Sequence, residues 1–192
     1  MTNCKLERIC TDIQQSNRTP ETDGAIWEST RQQLIKQKIQ DFLYKSFHST
    51  HKIGKYWFNI KNLSKRGCCT ICNENKTLEH ILTKCEANTG TKIWSAAQDI
   101  WPHKERLWPP ITIGTILGIG LLEVKTTPNP TNQEQENPLD EPIVNAGATR
   151  LAKILISEAA YLIWTLQCRR VINDRSYSTE VIESTWRKTV NK

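Results

Sequence analysis

Apolar residues recur at three- and four-residue steps in four stretches of the chain. In residues 25–49, Leu34, Ile35, Ile39, Phe42, Leu43 and Phe47 share one side of a helix, and Arg31, Lys36, Lys38 and Lys45 take the other, which predicts one amphipathic helix. Residues 91–122 resume the period with Ile93, Trp94, Ala97, Ile100 and Trp101 until Pro102, Pro109 and Pro110 break it. Residues 146–172 give the strongest helix. Leu151, Ile154, Leu155, Leu162, Ile163 and Leu166 mark one face, Ala159, Ala160, Tyr161 and Trp164 widen it, and Arg169 and Arg170 suit the negative end of the helix dipole. A helix so apolar belongs at the centre of a core or at an interface between copies. A short helix over residues 179–189 follows.

Between these stretches the pattern lapses. Residues 1–24 are polar and end in TPETDG, which predicts a flexible lead-in holding at most one short helix, with Asp23 a candidate cap for the next. Residues 125–145, KTTPNPTNQEQENPLDEPIVN, carry four of the eight prolines and no aromatic residue, too little apolar surface to order themselves. The expected division is a lead-in (1–24), a helical module that includes the cysteine cluster (25–122), a Pro-rich linker (123–145) and a C-terminal helical segment (146–192). Neither apolar run reads as a membrane span, which takes about 20 apolar residues. Residues 111–124 are short and carry Gly114, Gly118 and Gly120, and residues 151–166 include Lys153 and Glu158. Both are expected inside a core, with no membrane partner.

Charge changes the picture in one region. The chain is +6 overall with a pI near 9.0, which favours polyanionic partners. From residue 31 to 66, nine residues are basic (Arg31, Lys36, Lys38, Lys45, Lys52, Lys55, Lys61, Lys65, Arg66) and only Asp41 is acidic, a net +8. Phe42, Tyr44, Phe47, Tyr56, Trp57 and Phe58 are interleaved. Lysines for phosphates beside rings for bases is the pattern of single-strand binding. Some of these rings are expected in the core (Phe42, Phe47, Trp57). The candidate nucleic-acid contacts are Lys36, Lys38, Lys45, Lys52, Lys55, Tyr56, Lys61, Lys65 and Arg66, with Tyr44 and Phe58 as further stacking rings.

The seven cysteines are odd in number, and four fall between residues 68 and 85. The N-terminal MTNCKLERICTDIQQ lacks the apolar segment of a signal peptide, so an intracellular, reducing setting in nucleus or cytoplasm is expected. There, clustered cysteines read as metal ligands rather than disulfides. Cys69 and Cys72 flank two residues, His80 follows after seven more, and Cys85 after a further four. Structural zinc takes four soft or borderline ligands in a tetrahedron. The Cys-x-x-Cys turn supplies two, and a short helix over residues 77–84, capped by Thr77, presents His80. Cys85 lies off the His80 face of an ideal helix, so the helix must end or tighten near Lys84. Cys68-x3-Cys72 is also an allowed spacing, which leaves Cys68 as the alternative to Cys69. The predicted fold class is thus mainly α: one or more small helical domains with a zinc-knuckle-like hairpin–helix insert and a Pro-rich disordered loop.

Four protein ligands leave no open position on a Zn2+ ion, so the site is expected to be structural. No Gly-rich phosphate loop and no carboxylate cluster for two-metal chemistry appears. Asp23, Asp41, Asp99 and Asp174 read as caps or solvated positions, and His48, His51 and His103 as surface singletons. No enzymatic activity is expected.

The runs IQDFLYKSFHSTHKIGKYWFNI and CTICNENKTLEHILTKC resemble the zinc-binding domain that follows the reverse transcriptase and ribonuclease H regions in polyproteins of non-LTR retrotransposons. GATRLAKILISEAAYLIWTLQCRRVIND and VIESTWRKTVN look like the C-terminal end of such polyproteins. The likeness covers roughly residues 25–190. It implies Cys69, Cys72, His80 and Cys85 as zinc ligands and a role in holding RNA or single-stranded DNA. The family's enzymatic regions have no counterpart in the two dozen residues before the match, so a detached, non-catalytic tail is the expectation. The competing expectations are a protein–protein module that self-associates through helix 148–168, and a non-functional relic of a decayed element.

Overall fold

The computed structural model describes residues 2–86, 88–102, 108–125, 143–173 and 176–191. Among the described residues eight α-helices run in the order α1 (Thr2–Asn17), α2 (Asp23–Ser29), α3 (Gln37–Phe47), α4 (Lys55–Phe58), α5 (Asn88–Ile100), α6 (Ile113–Leu117), α7 (Ala146–Asn173) and α8 (Thr179–Val190). Short 3-10 turns at Ser64–Gly67 and Ile119–Leu121 and a π turn at His80–Lys84 complete the order. The fold is mainly α, and among the described residues β pairing is confined to two isolated bridges, Cys68 with Asn75 and Lys125 with Val144.

The continuous apolar run of residues 146–172 makes α7 the axis of the core. Ala148, Ala152, Leu155, Ile156, Ala159, Ala160, Leu162, Ile163 and Leu166 are all buried, because α3, α5, α6, α8 and the π turn all pack against this helix. Each such Ile or Leu contributes about 1.5–3 kcal/mol relative to exposure. Among the described residues α7 alone is long and apolar enough to cross a membrane, and 61% of its most apolar window is buried inside the fold. α8 closes the far side with Ile182 and Trp186. The ends of α7 and α8 fall within one or two residues of those expected from the sequence.

Three expectations are corrected. Residues 2–17 form a helix, not a flexible lead-in. Leu6, Ile9 and Ile13 make a narrow stripe in an otherwise polar segment and are buried against α6. A Cβ on Gly118 would stand 2.7 Å from the Ile13 side chain, so this close approach needs glycine. The single helix expected over 25–49 is two, α2 and α3, with a bend at residues 30–36. The Ser29 and Thr30 hydroxyls turn back onto the carbonyls of Ile26 and Trp27, and the Gln40 amide holds the carbonyls of Gln32 and Ile35. The bend lets Ile26 and Ile35 both reach the core. The cap of α2 is Thr22, whose side chain accepts from the Ala25 N–H at 3.2 Å, and Asp23 is the first helical residue.

The buried residues from Leu6 to Trp186 belong to one cluster, so the 25–122 and 146–192 stretches share a core. Most of the 123–145 linker, along with His103 and Asp174, lies outside the described residues.

Candidate metal centre and basic loop

The cysteine turn begins where the chain leaves the Ser64–Gly67 turn. The Lys76 N–H donates to the Gly67 carbonyl at 2.8 Å and the Cys69 N–H to the Glu74 carbonyl at 2.7 Å, closing a hairpin around residues 70–73. Asn73 takes a positive φ of 53° at its tip, a conformation asparagine tolerates. The second element starts at Thr77, whose hydroxyl accepts from the His80 N–H at 3.0 Å, the capping role its position predicts.

The helix then does something the spacing does not announce. In an α-helix Cys85 would sit about 140° around from His80. The chain ends the helix at Lys84 as expected, but it widens instead of tightening. The Cys85 N–H donates to the His80 carbonyl five residues back at 2.7 Å, giving the π turn His80–Lys84. The wider turn brings Cys85 round toward the imidazole. π turns of this kind gather at functional sites.

The result is a tetrad. The ligand atoms of Cys69, Cys72, His80 and Cys85 all lie within 4.8 Å of one another and can hold a metal ion. The Cys69 and Cys85 sulfurs are 3.7 Å apart and those of Cys72 and Cys85 are 3.9 Å apart. His80 is buried, and its Nδ1 meets the Glu74 carboxylate at 3.0 Å. With that proton on Nδ1, the Nε2 lone pair is left bare, and Nε2 is buried without a hydrogen-bond partner. A buried bare nitrogen beside three sulfurs is costly unless a cation fills the gap. Carboxylate–imidazole pairs of this kind orient histidine ligands in metal sites. The Glu86 N–H donates to the Cys72 sulfur at 3.3 Å. Burial pushes the Cys69 thiol up, but hydrogen bonds led by the Cys72 N–H, with the Ile71 N–H among them, outweigh it and bring the pKa down to about 6. Cys69 is thus poised as a thiolate, the form that binds metals. Cys68 turns away, its sulfur directed to the Asn75 side chain at 3.8 Å, which decides between the two cysteines in favour of Cys69.

The knuckle is docked on the helical body. Leu82 and Ile81 are buried in the common core, the Trp94 indole donates to the Leu82 carbonyl at 2.8 Å, and Glu79 bridges Arg8 of α1 at 2.8 Å and Lys84 at 3.0 Å. Lys76 is buried, its ammonium donating to the Arg66 carbonyl at 3.2 Å.

The basic residues divide into two groups. Lys36 belongs to the core: its ammonium pairs at 2.6 Å with Glu158, whose side chain is 4% exposed in the middle of α7. It is removed from the set of candidate phosphate contacts, since releasing it would strand a buried carboxylate. Lys38 stands 5.2 Å over the Tyr161 ring. Lys45, Lys52, Lys55, Lys61, Lys65 and Arg66 are exposed along the loop from the end of α3 through α4 to the cysteines. With them are Tyr44, Tyr56 and Phe58, exposed by 54%, 43% and 40%. Phe42 and Phe47 are core, but Trp57 is only half-buried, with Arg66 5.3 Å over its ring. His48 is exposed. His51 is no surface singleton: it is half-buried, packed 4.2 Å from the Trp164 ring and bonded to the Ser46 hydroxyl at 2.9 Å. Sequence reading missed Glu74, whose only signal was an acidic residue inside the cysteine loop. Compared with known proteins, the chain matches no family model, no curated protein and no solved structure.

Proposed function

We propose that the tetrad holds a structural Zn2+ ion and that the zinc-held knuckle presents the basic loop to a single-stranded or structured nucleic acid, with no catalysis. Three thiolates and an imidazole are the donor set of closed zinc sites, and a site with no open position activates neither water nor substrate. The observation that carries the nucleic-acid reading is where the cations lie. Five exposed basic residues and two exposed aromatic rings lie on the loop between α3 and the first ligand cysteine, with Lys45 and Tyr44 just before it on the last turn of α3. That loop touches the knuckle directly, since a Cβ on Gly54 would meet the Lys76 carbonyl oxygen at 2.7 Å and one on Gly67 would meet the Phe58 ring at 2.5 Å. Metal binding free energy goes into folding such a segment, so the ion fixes the geometry of the cationic surface. The resemblance to the zinc-binding tail of retrotransposon polyproteins supports the same role.

Elemental analysis of the purified protein is expected to give one zinc per chain. Affinity for an oligonucleotide should fall by about 0.7 log units per tenfold rise in salt for each phosphate neutralised on a single strand. Affinity indifferent to salt would overturn the nucleic-acid reading and leave the metal site standing.

A further inference from the structure

A cleft of about 590 Å3 opens between the basic loop and the knuckle. One wall is residues 49–51 and 53–56 and the other is residues 75–77, in the stretch that leads from Cys72 to His80. The walls meet where Gly54, at a φ of 50°, presses its backbone onto the Lys76 carbonyl. The volume falls within the range of small-molecule sites. No acidic residue lines it. On the loop side are the Lys55 ammonium and the Tyr56 ring, with Lys52 5.7 Å over that ring. Across from them the Asn75 amide and the Thr77 hydroxyl offer donors and acceptors. His51 forms part of the first wall and is held by Ser46, Phe42 and Trp164. Burial lowers its pKa, so it is a neutral, fixed surface.

A cation, an exposed ring and an amide facing one another across a cleft suit a ligand with a phosphate, a flat heterocycle and polar edges. We infer that this cleft receives one unpaired nucleotide of a bound strand, its base against Tyr56, its base edge toward Asn75 and Thr77, and its phosphate on Lys55. The inference rests on the nucleic-acid reading above and adds to it that bases, as well as the phosphate backbone, are recognised. A paired base cannot enter, so duplex is disfavoured. Stacking on a ring is tolerant of base identity, so little sequence preference follows.

The test uses the zinc-loaded full chain and fluorescein-labelled twelve-mers: oligo-deoxythymidylate, oligo-uridylate, a fully abasic strand of the same charge, and a duplex. Either base-bearing single strand is expected to bind roughly tenfold more tightly than the abasic strand. Tyr56→Ala should erase that difference and Tyr56→Phe should keep it, with zinc content unchanged in both. Replacing Lys45 and Lys61, which lie outside the cleft, with glutamate should weaken every strand alike. Equal binding of base-bearing and abasic strands, or a base preference that survives Tyr56→Ala, would overturn the cleft and leave the charge-based reading in place. Failure of all strands to bind at low salt would overturn both.

Discussion

At Glu74 the metal site turns on the position of one proton. Its carboxylate stands 3.0 Å from the His80 Nδ1, and a proton held there would leave Nε2 free for a metal. Glu74→Gln keeps the size but weakens that hold, and zinc affinity is expected to drop about tenfold, the usual range for an orienting carboxylate, as read by competition with a chromophoric chelator. Cys72→Ser or Cys85→Ser should abolish tight binding, whereas Cys68→Ser should leave it intact, because the Cys68 sulfur points to Asn75. The same residues set a pH dependence. The folded site holds the Cys69 thiol near 6, while the opened loop returns it toward 9. The opened loop therefore carries more protons between those values and releases them on closing around an ion, so zinc affinity is expected to rise with pH through that window and to be lost as pH falls through the lower value. Competition with a chromophoric chelator at stepped pH should show the slope.

The elements show which features could be read beforehand. α7 was legible nearly to the residue because a long apolar period with clear ends leaves few alternatives, and the short α8 was legible as well. α1 was not, since Leu6, Ile9 and Ile13 are three apolar positions in a polar helix whose partner, α6, is about a hundred residues away. The four members of the tetrad were legible from spacing. The means of joining them was not, because a π turn is set by tertiary packing and carries no residue signature. Its register is testable: deleting Thr83 removes the extra residue that the wide turn accommodates, and the variant should fold its helices but lose zinc. Lys36 teaches a related lesson. In sequence it was one more lysine in a basic stretch, but α7 places Glu158 under it. Lys36→Ala should cost about 2 kcal/mol, less than for a fully buried pair because the lysine is half-exposed. Urea unfolding measures this, and oligonucleotide affinity should stay the same. Adding Glu158→Leu should recover most of the loss, since the stranded charge is then gone.

On the scale of the whole molecule, the stabilising work would divide between one apolar core and the Cys3His knuckle once it holds a metal. The cluster running from Leu6 to Trp186 does not include the ligand sulfurs, so chelation should unfold the knuckle and basic loop while sparing the helical body. Hydrogen exchange is expected to accelerate over residues 50–86 and to leave α7 protected. Far-ultraviolet circular dichroism should change little in the same experiment. Loss of the whole helical signal on chelation would show instead that the core depends on the ion.

The Lys125–Val144 bridge, reinforced by the Asn145 N–H on the Val124 carbonyl at 2.8 Å, has a practical consequence. It pins the two ends of the intervening segment side by side, so whatever is spliced between them starts and finishes at a single spot on the body. A fluorescent or affinity domain with neighbouring termini could be grafted there without stretching the scaffold.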